Sequence, residues 1–163
     1  MLKGLKRSCH EGGIRVPFIV RWPGKVPAGV KSDHQLAFYD VMPTFCDIIG
    51  IGKNYVQQYR NRNLANDYFD GISFLPTLLG NDAKQQKHDY LYWEFNETNQ
   101  IGVRQGNWKL IVKGGTSELY DLATDIHEDN NIASQYPEKV AELKKIVLEA
   151  HTPNPYFSVT LPK

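Results

Sequence analysis

The chain has 163 residues, with 19 Lys and Arg against 18 Asp and Glu, for a formal net charge of +1. Hydrophobic residues make up 41% and charged residues 23%, ordinary values for one soluble-type domain with a real core. The near-zero charge excludes a field strong enough to recruit nucleic acid or an acidic membrane surface, and no apolar run approaches the roughly 20 residues of a membrane helix.

The chain opens on Lys6-Arg7-Ser8-Cys9-His10-Glu11-Gly12-Gly13-Ile14-Arg15-Val16-Pro17, a polar, glycine-containing turn feeding an apolar run that ends at Trp22-Pro23-Gly24. A functional-looking loop so close to residue 1 leads to the expectation that the chain is the C-terminal piece of a larger enzyme. Within the loop, Lys6 is a cation suited to an anionic group such as sulfate or phosphate. Gly12 and Gly13 let backbone approach a ligand closely. Glu11 has the simpler role of pairing with Arg15 or capping the turn. The two cysteines, Cys9 and Cys46, show no ligand spacing, which argues against zinc, and no local motif makes Cys9 a nucleophile.

Residues Gly13 to Trp22 read as a buried strand, because Ile14, Val16, Phe18, Ile19, Val20 and Trp22 are nearly continuous, with Pro17 indicating that the strand is at a sheet edge or begins there. A helix follows, with Asp40 as N-cap, Pro43 in its first turn, and Phe38, Met42, Phe45 and Ile48/Ile49 at helical spacing before Gly50. Lys53 to Phe69 is polar and aperiodic and reads as a long surface loop. Asp70 to Gly80 repeats the cap, proline and glycine device around Ser73 and reads as a short helix. Then come β-prone runs: His88–Phe95, a hairpin over Gly102–Val112 turning at Gly106-Asn107, and Glu118–Leu122. The last element is a helix from Pro137, with Val140, Leu143, Ile146/Val147 and Ala150 on one stripe.

Taken together, five of these blocks resemble the type I sulfatases, the arylsulfatase family, in family order. They are Lys6 with Glu11-Gly12-Gly13-Ile14-Arg15 and Trp22-Pro23-Gly24; Asp40-Val41-Met42-Pro43-Thr44; Asp70-Gly71-Ile72-Ser73-Phe74-Leu75-Pro76; Val103-Arg104-Gln105-Gly106-Asn107-Trp108-Lys109-Leu110; and Glu118-Leu119-Tyr120-Asp121-Leu122 through Asn131. The resemblance implies an α+β arrangement: residues 1–85 as the tail end of the large α/β sulfatase domain, with an edge strand and helices, and residues 86–163 as a small C-terminal domain with an antiparallel sheet against a long helix.

It implies sulfate-ester hydrolysis, with a calcium ion and a formylglycine nucleophile. The formylglycine motif, Cys or Ser followed by x-Pro/Ala-x-Arg, does not occur in this sequence, nor does the family's Asp-Asp pair. The nucleophile and calcium ligands are therefore expected in a missing N-terminal catalytic domain, and this chain binds no cofactor or metal and is inactive alone. By position, Lys6 matches the lysine that contacts the sulfate ester oxygens. His10, Trp93, Glu94 and Arg104 are candidates for the rest of a sulfated small molecule or glycan, by stacking or by pairing with a second acidic group; the alternative for each is a structural role. His34, His88, His127 and His151 read as surface residues. The resemblance also implies a periplasmic or secreted location if the source is bacterial, lysosomal if animal. Two other functions remain open: a phosphonate or phosphate monoester hydrolase of the same superfamily, and a non-catalytic carbohydrate-binding module.

Overall fold

The computed structural model describes residues 1–50 and 70–162. The loop expected over Lys53–Phe69 lies outside the described residues. The chain divides into two compact units, Met1–Pro17 with Asp89–Lys163, and Phe18–His88.

The first unit is built on a four-stranded antiparallel meander in the order β1 (Leu91–Phe95), β2 (Gln100–Gln105), β3 (Trp108–Lys113), β4 (Thr116–Asp121). Two-residue turns at Gly106-Asn107 and Gly114-Gly115 set the register, pairing Gln105 with Trp108 and Lys113 with Thr116. The expected hairpin is therefore present. Side chains alternate across the sheet. Ile101, Val103, Leu110, Val112 and Leu119 share one face and pack on Leu143 and Val147 of the helix Pro137–Ala150, which begins at the proline as expected. The opposite face carries Trp93, Arg104, Lys109, Ile111, Glu118 and Tyr120, by register with Gly102 and Leu91. It is covered by the opening segment, whose Cys9 packs among Ile111, Tyr120 and Leu122. The sheet is thus buried on both sides, by a helix on one and by a loop on the other.

The expected strand over Gly13–Trp22 is not formed. Glu11–Ile14 is a single helical turn, α1, and residues 15–22 are irregular. A strand exists only by hydrogen bonding to a neighbour, and no strand among the described residues pairs with this segment. Pro17 lacks a donor in any case. Val16, Phe18 and Ile19 accordingly stay exposed rather than buried.

In the second unit, α2 (Val41–Ile48) and α3 (Leu75–Leu78) form where expected. Asp40, however, does not cap α2. Its carboxylate accepts from the Ala37 and Ile72 amides at 2.7 and 2.8 Å and pairs with His88 Nε2 at 2.8 Å. Thr44 Oγ1 donates to the Asp40 carbonyl and accepts from the Phe74 amide. Gly71 lies so close to Tyr39 that a Cβ would fall 2.1 Å from its carbonyl oxygen. The Asp-x-x-Pro-Thr and Asp-Gly-x-Ser blocks therefore hold each other. His88 is not the surface residue expected: its side chain is only 10% exposed.

Candidate functional site

The opening segment folds back on itself. The Gly12 amide donates to the Lys3 carbonyl at 2.7 Å. A Cβ on Gly12 would fall 2.4 Å from the Gly4 carbonyl oxygen, and one on Gly13 would fall 2.2 Å from that of Ser8. The two glycines are thus required by packing of the loop on itself, where the bare sequence read them as making room for a ligand.

Beneath the loop lies a buried ionic cluster. Glu11, Lys109 and Glu128 are each fully buried. Lys109 Nζ sits 2.8 Å from Glu11 Oε1 and 2.9 Å from Glu128 Oε1. Glu11 Oε2 takes Arg15 Nε at 2.5 Å and faces Arg104 Nη1 at 3.5 Å. Glu128 Oε2 accepts the Glu11 amide at 2.8 Å, so it holds the start of α1 as well. His10 lies between two carboxylates, with Nδ1 3.4 Å from Glu128 and Nε2 3.6 Å from Glu118. Lys3 Nζ donates to Tyr120 Oη and to the Glu128 carbonyl. Charges taken from water so completely persist only when paired on all sides.

The electrostatics follow. Burial pushes the Glu11 carboxyl up, but the Lys109 ammonium and the Arg15 guanidinium outweigh it and hold the pKa below its ordinary value. Burial likewise opposes Glu128, and His10, Lys109 and the Glu11 amide together lower it. For carboxylates depressed in the folded state, the stabilisation is present above their ordinary value of 4.5 and is lost as pH falls through their lowered folded values. In an acid titration, protection of the Glu11 and Gly12 amides, corrected for intrinsic exchange, should hold down to 4.5 and fail only below it. Failure between neutrality and 4.5 would contradict this assignment. Burial raises the Cys9 thiol to about 11, the nearby Lys109 only partly opposing it, so Cys9 is a protonated core residue and no nucleophile.

The candidate residues separate. Lys6 is exposed at the turn of the loop and forms no hydrogen bond or ion pair among the described residues. Every other charged side chain from Lys3 to Arg15 is paired, Arg7 with Glu97 at 3.2 Å. Trp93 is half-buried against the Cys9 cluster. Arg104 donates to the Gly106 carbonyl and turns toward Glu11. These residues and His10 share the loop-covered face. Glu94 does not: as the strand neighbour of Trp93 it projects to the helix side, where it accepts from Tyr92 Oη and pairs with His151 Nδ1 at 2.6 Å. His151 is therefore also far from the free surface residue expected. Lys109 and Glu128 lie in two of the family blocks but were not singled out as site residues. The signal for Lys109 was a lysine inside the apolar run Trp108–Val112, on the face that alternation assigns away from the helix.

Among the described residues, no group of three or more His, Cys, Asp or Glu side chains is placed to hold a metal ion. The described residues therefore offer no ligand set for the calcium implied by the resemblance. No helix among the described residues is long and apolar enough to cross a membrane.

A four-stranded antiparallel sheet with a C-terminal helix packed on one face is an α+β arrangement consistent with a sulfatase C-terminal domain. Residues 5–152 match the family described as N-sulphoglucosamine sulphohydrolase, C-terminal, and the chain belongs to that family. It is 31% identical to an N-acetylgalactosamine-6-O-sulfatase of Bacteroides thetaiotaomicron, the match covering 92% of this chain and 30% of that protein. A Bacteroides thetaiotaomicron structure from work on the metabolism of multiple glycosaminoglycans is 28% identical, with a TM-score of 0.68, over 91% of this chain and 32% of that one. A structure in complex with its substrate D-glucosamine-2-N,6-O-disulfate is 26% identical, with a TM-score of 0.56, over 81% and 27%. The chain spans about 30% of the length of the curated relatives it matches.

Proposed function

We propose that this chain is the C-terminal portion of a sulfatase that hydrolyses sulfate esters of sugars, and that Lys6 contacts the sulfate. The observation that carries this reading is the state of Lys6. In a loop where every other charge is paired, one exposed cation is left without a partner among the described residues. A positive charge held at a fixed place neutralises sulfate on binding and stabilises the negative charge that builds on the ester oxygen as the S–O bond breaks. Within the family match, such a lysine needs a nucleophile and a metal from elsewhere. The proposal assigns both, as formylglycine and calcium, to the remainder of a polypeptide of the relatives' length.

The second unit supports the same division. Met42 and Phe45 of α2, with Phe38 in the turn before it and Ile49 just after it, recur at helical spacing and are all exposed, an apolar stripe of the kind that marks an interaction surface. The rest of the catalytic domain is the proposed cover. The sulfated amino sugars named for the relatives support a sulfated sugar as the substrate class, with His10, Trp93 and Arg104, on the sheet face that the opening segment covers, proposed for its sugar part. By the family resemblance, the proposed location is periplasmic or secreted if the source is bacterial and lysosomal if animal.

The test is direct. The complete polypeptide should release sulfate from D-glucosamine-2-N,6-O-disulfate, and residues 1–163 alone should release none. Turnover by the isolated piece would overturn the division of labour. Preference for a phosphonate monoester over sulfate esters would move the protein to the phosphoryl branch.

A further inference from the structure

We infer that the buried Glu11–Lys109–Glu128 cluster is a positioning device for Lys6, with Glu128 as its positioning residue; the inference rests on Lys6 acting at the sulfate. Three features point to it. First, the cluster draws its members from three separate sequence blocks: Glu11 from the opening loop, Lys109 from β3 and Glu128 from the loop after β4. It therefore ties the loop to the sheet at the one place where the loop's fold is tightest. Second, Glu128 contributes more than a charge. One carboxylate oxygen forms an ion pair with Lys109 at 2.9 Å, the other accepts the Glu11 amide, and its own carbonyl accepts from Lys3, three residues before Lys6. The base of the Lys6 turn is thus gripped on both sides, at Lys3 and at Glu11. Third, Glu128 adopts φ of 57°, a left-handed conformation costly for a residue with a side chain. Its Asp125–Asn130 turn holds it there through bonds from the Glu128, Asp129 and Asn130 amides to Asp125. Backbone strain and three fully buried charges cost stability, and simple burial of an apolar side chain would serve packing better. What the arrangement supplies is a rigid loop base, and a misplacement of about 1 Å at a reacting group costs up to roughly 10²-fold in rate.

The experiment uses the complete polypeptide and two readouts. Glu128→Gln keeps an oxygen to accept the Glu11 amide but withdraws the charge from Lys109. Hydrogen exchange at Glu11 and Gly12 should then accelerate at least about tenfold, while the amides of the helix Pro137–Ala150 stay protected. With D-glucosamine-2-N,6-O-disulfate as probe, Glu128→Gln should lower kcat by roughly tenfold or more with a smaller change in KM. In a Lys6→Ala background it should lower kcat no further, because a residue that acts through Lys6 has nothing left to position. Unchanged exchange in the opening segment overturns the inference. So does an equal loss of kcat with and without Lys6, which marks a general structural role. Wild-type turnover by Lys6→Ala alone defeats the sulfate-contact reading instead, and the exchange experiment still decides whether Glu128 clamps the loop.

Discussion

Lys6→Ala in the complete polypeptide is expected to lower kcat by roughly 10²–10³-fold, the usual consequence of removing one preorganised partner of a developing negative charge. The side chain is exposed and makes no hydrogen bond or ion pair among the described residues. Stability should therefore move by no more than about 0.5 kcal/mol, as for other surface substitutions. The combination is the diagnostic feature. A large rate loss with unchanged thermal unfolding places Lys6 at the reacting group, whereas a normal rate removes it from the site. Lys6→Arg should recover only part of the loss, because a guanidinium is a broad planar fork where the loop presents a point charge.

Lys109→Met should have the largest effect on stability, about 3–5 kcal/mol, the cost of removing one partner from a buried ionic group. For a chain of this size that is a fall in Tm of roughly 6–20 °C. Two carboxylates lie within 3 Å of the Lys109 ammonium, at 2.8 and 2.9 Å, with no access to water. Without it, burial at Glu128 is opposed only by His10 and the Glu11 amide and its carboxyl pKa moves upward, while Glu11 keeps Arg15. A carboxyl whose folded pKa is raised destabilises the fold above that pKa and is relieved as it protonates. The deficit of Lys109→Met should accordingly shrink at mildly acidic pH, opposite in sign to the wild-type dependence. Combining it with Glu128→Gln should restore part of the loss at neutral pH, because Glu11 keeps Arg15 and Arg104 while the carboxylate that has lost its lysine is removed. Equal deficits at neutral and acidic pH would show that Lys109 contributes by packing alone.

Where the sequence was readable, a local rule decided the outcome. The helix from Pro137 follows from a proline start and one apolar stripe. The Gly106-Asn107 hairpin follows from turn chemistry between two β-prone runs. The Glu11–Arg15 pair is a spacing of four residues on one helical turn. Where it was not, a partner distant in sequence decided. Gly13–Trp22 has a strand's composition but no neighbour to hydrogen-bond among the described residues. Asp40 has a cap's position, yet its carboxylate is taken by Ile72 and His88, 32 and 48 residues away.

The candidate site divides along the same line. The sequence by itself determined the family blocks, the two-residue turns that set the sheet register, and the presence of one lysine ahead of a glycine pair. Only the tertiary structure decided which charges are spent and which is free. Glu11 meets Lys109 across 98 residues of chain, and Trp93 and Glu94, adjacent in sequence, are sent to opposite faces of the sheet. The reason is physical: a buried charge must be matched by whatever the fold brings within hydrogen-bond reach, and that distance is set by packing of the loop on the sheet. The glycine pair that first read as room for a ligand is room for the loop's own backbone, and that packing leaves Lys6 at the surface.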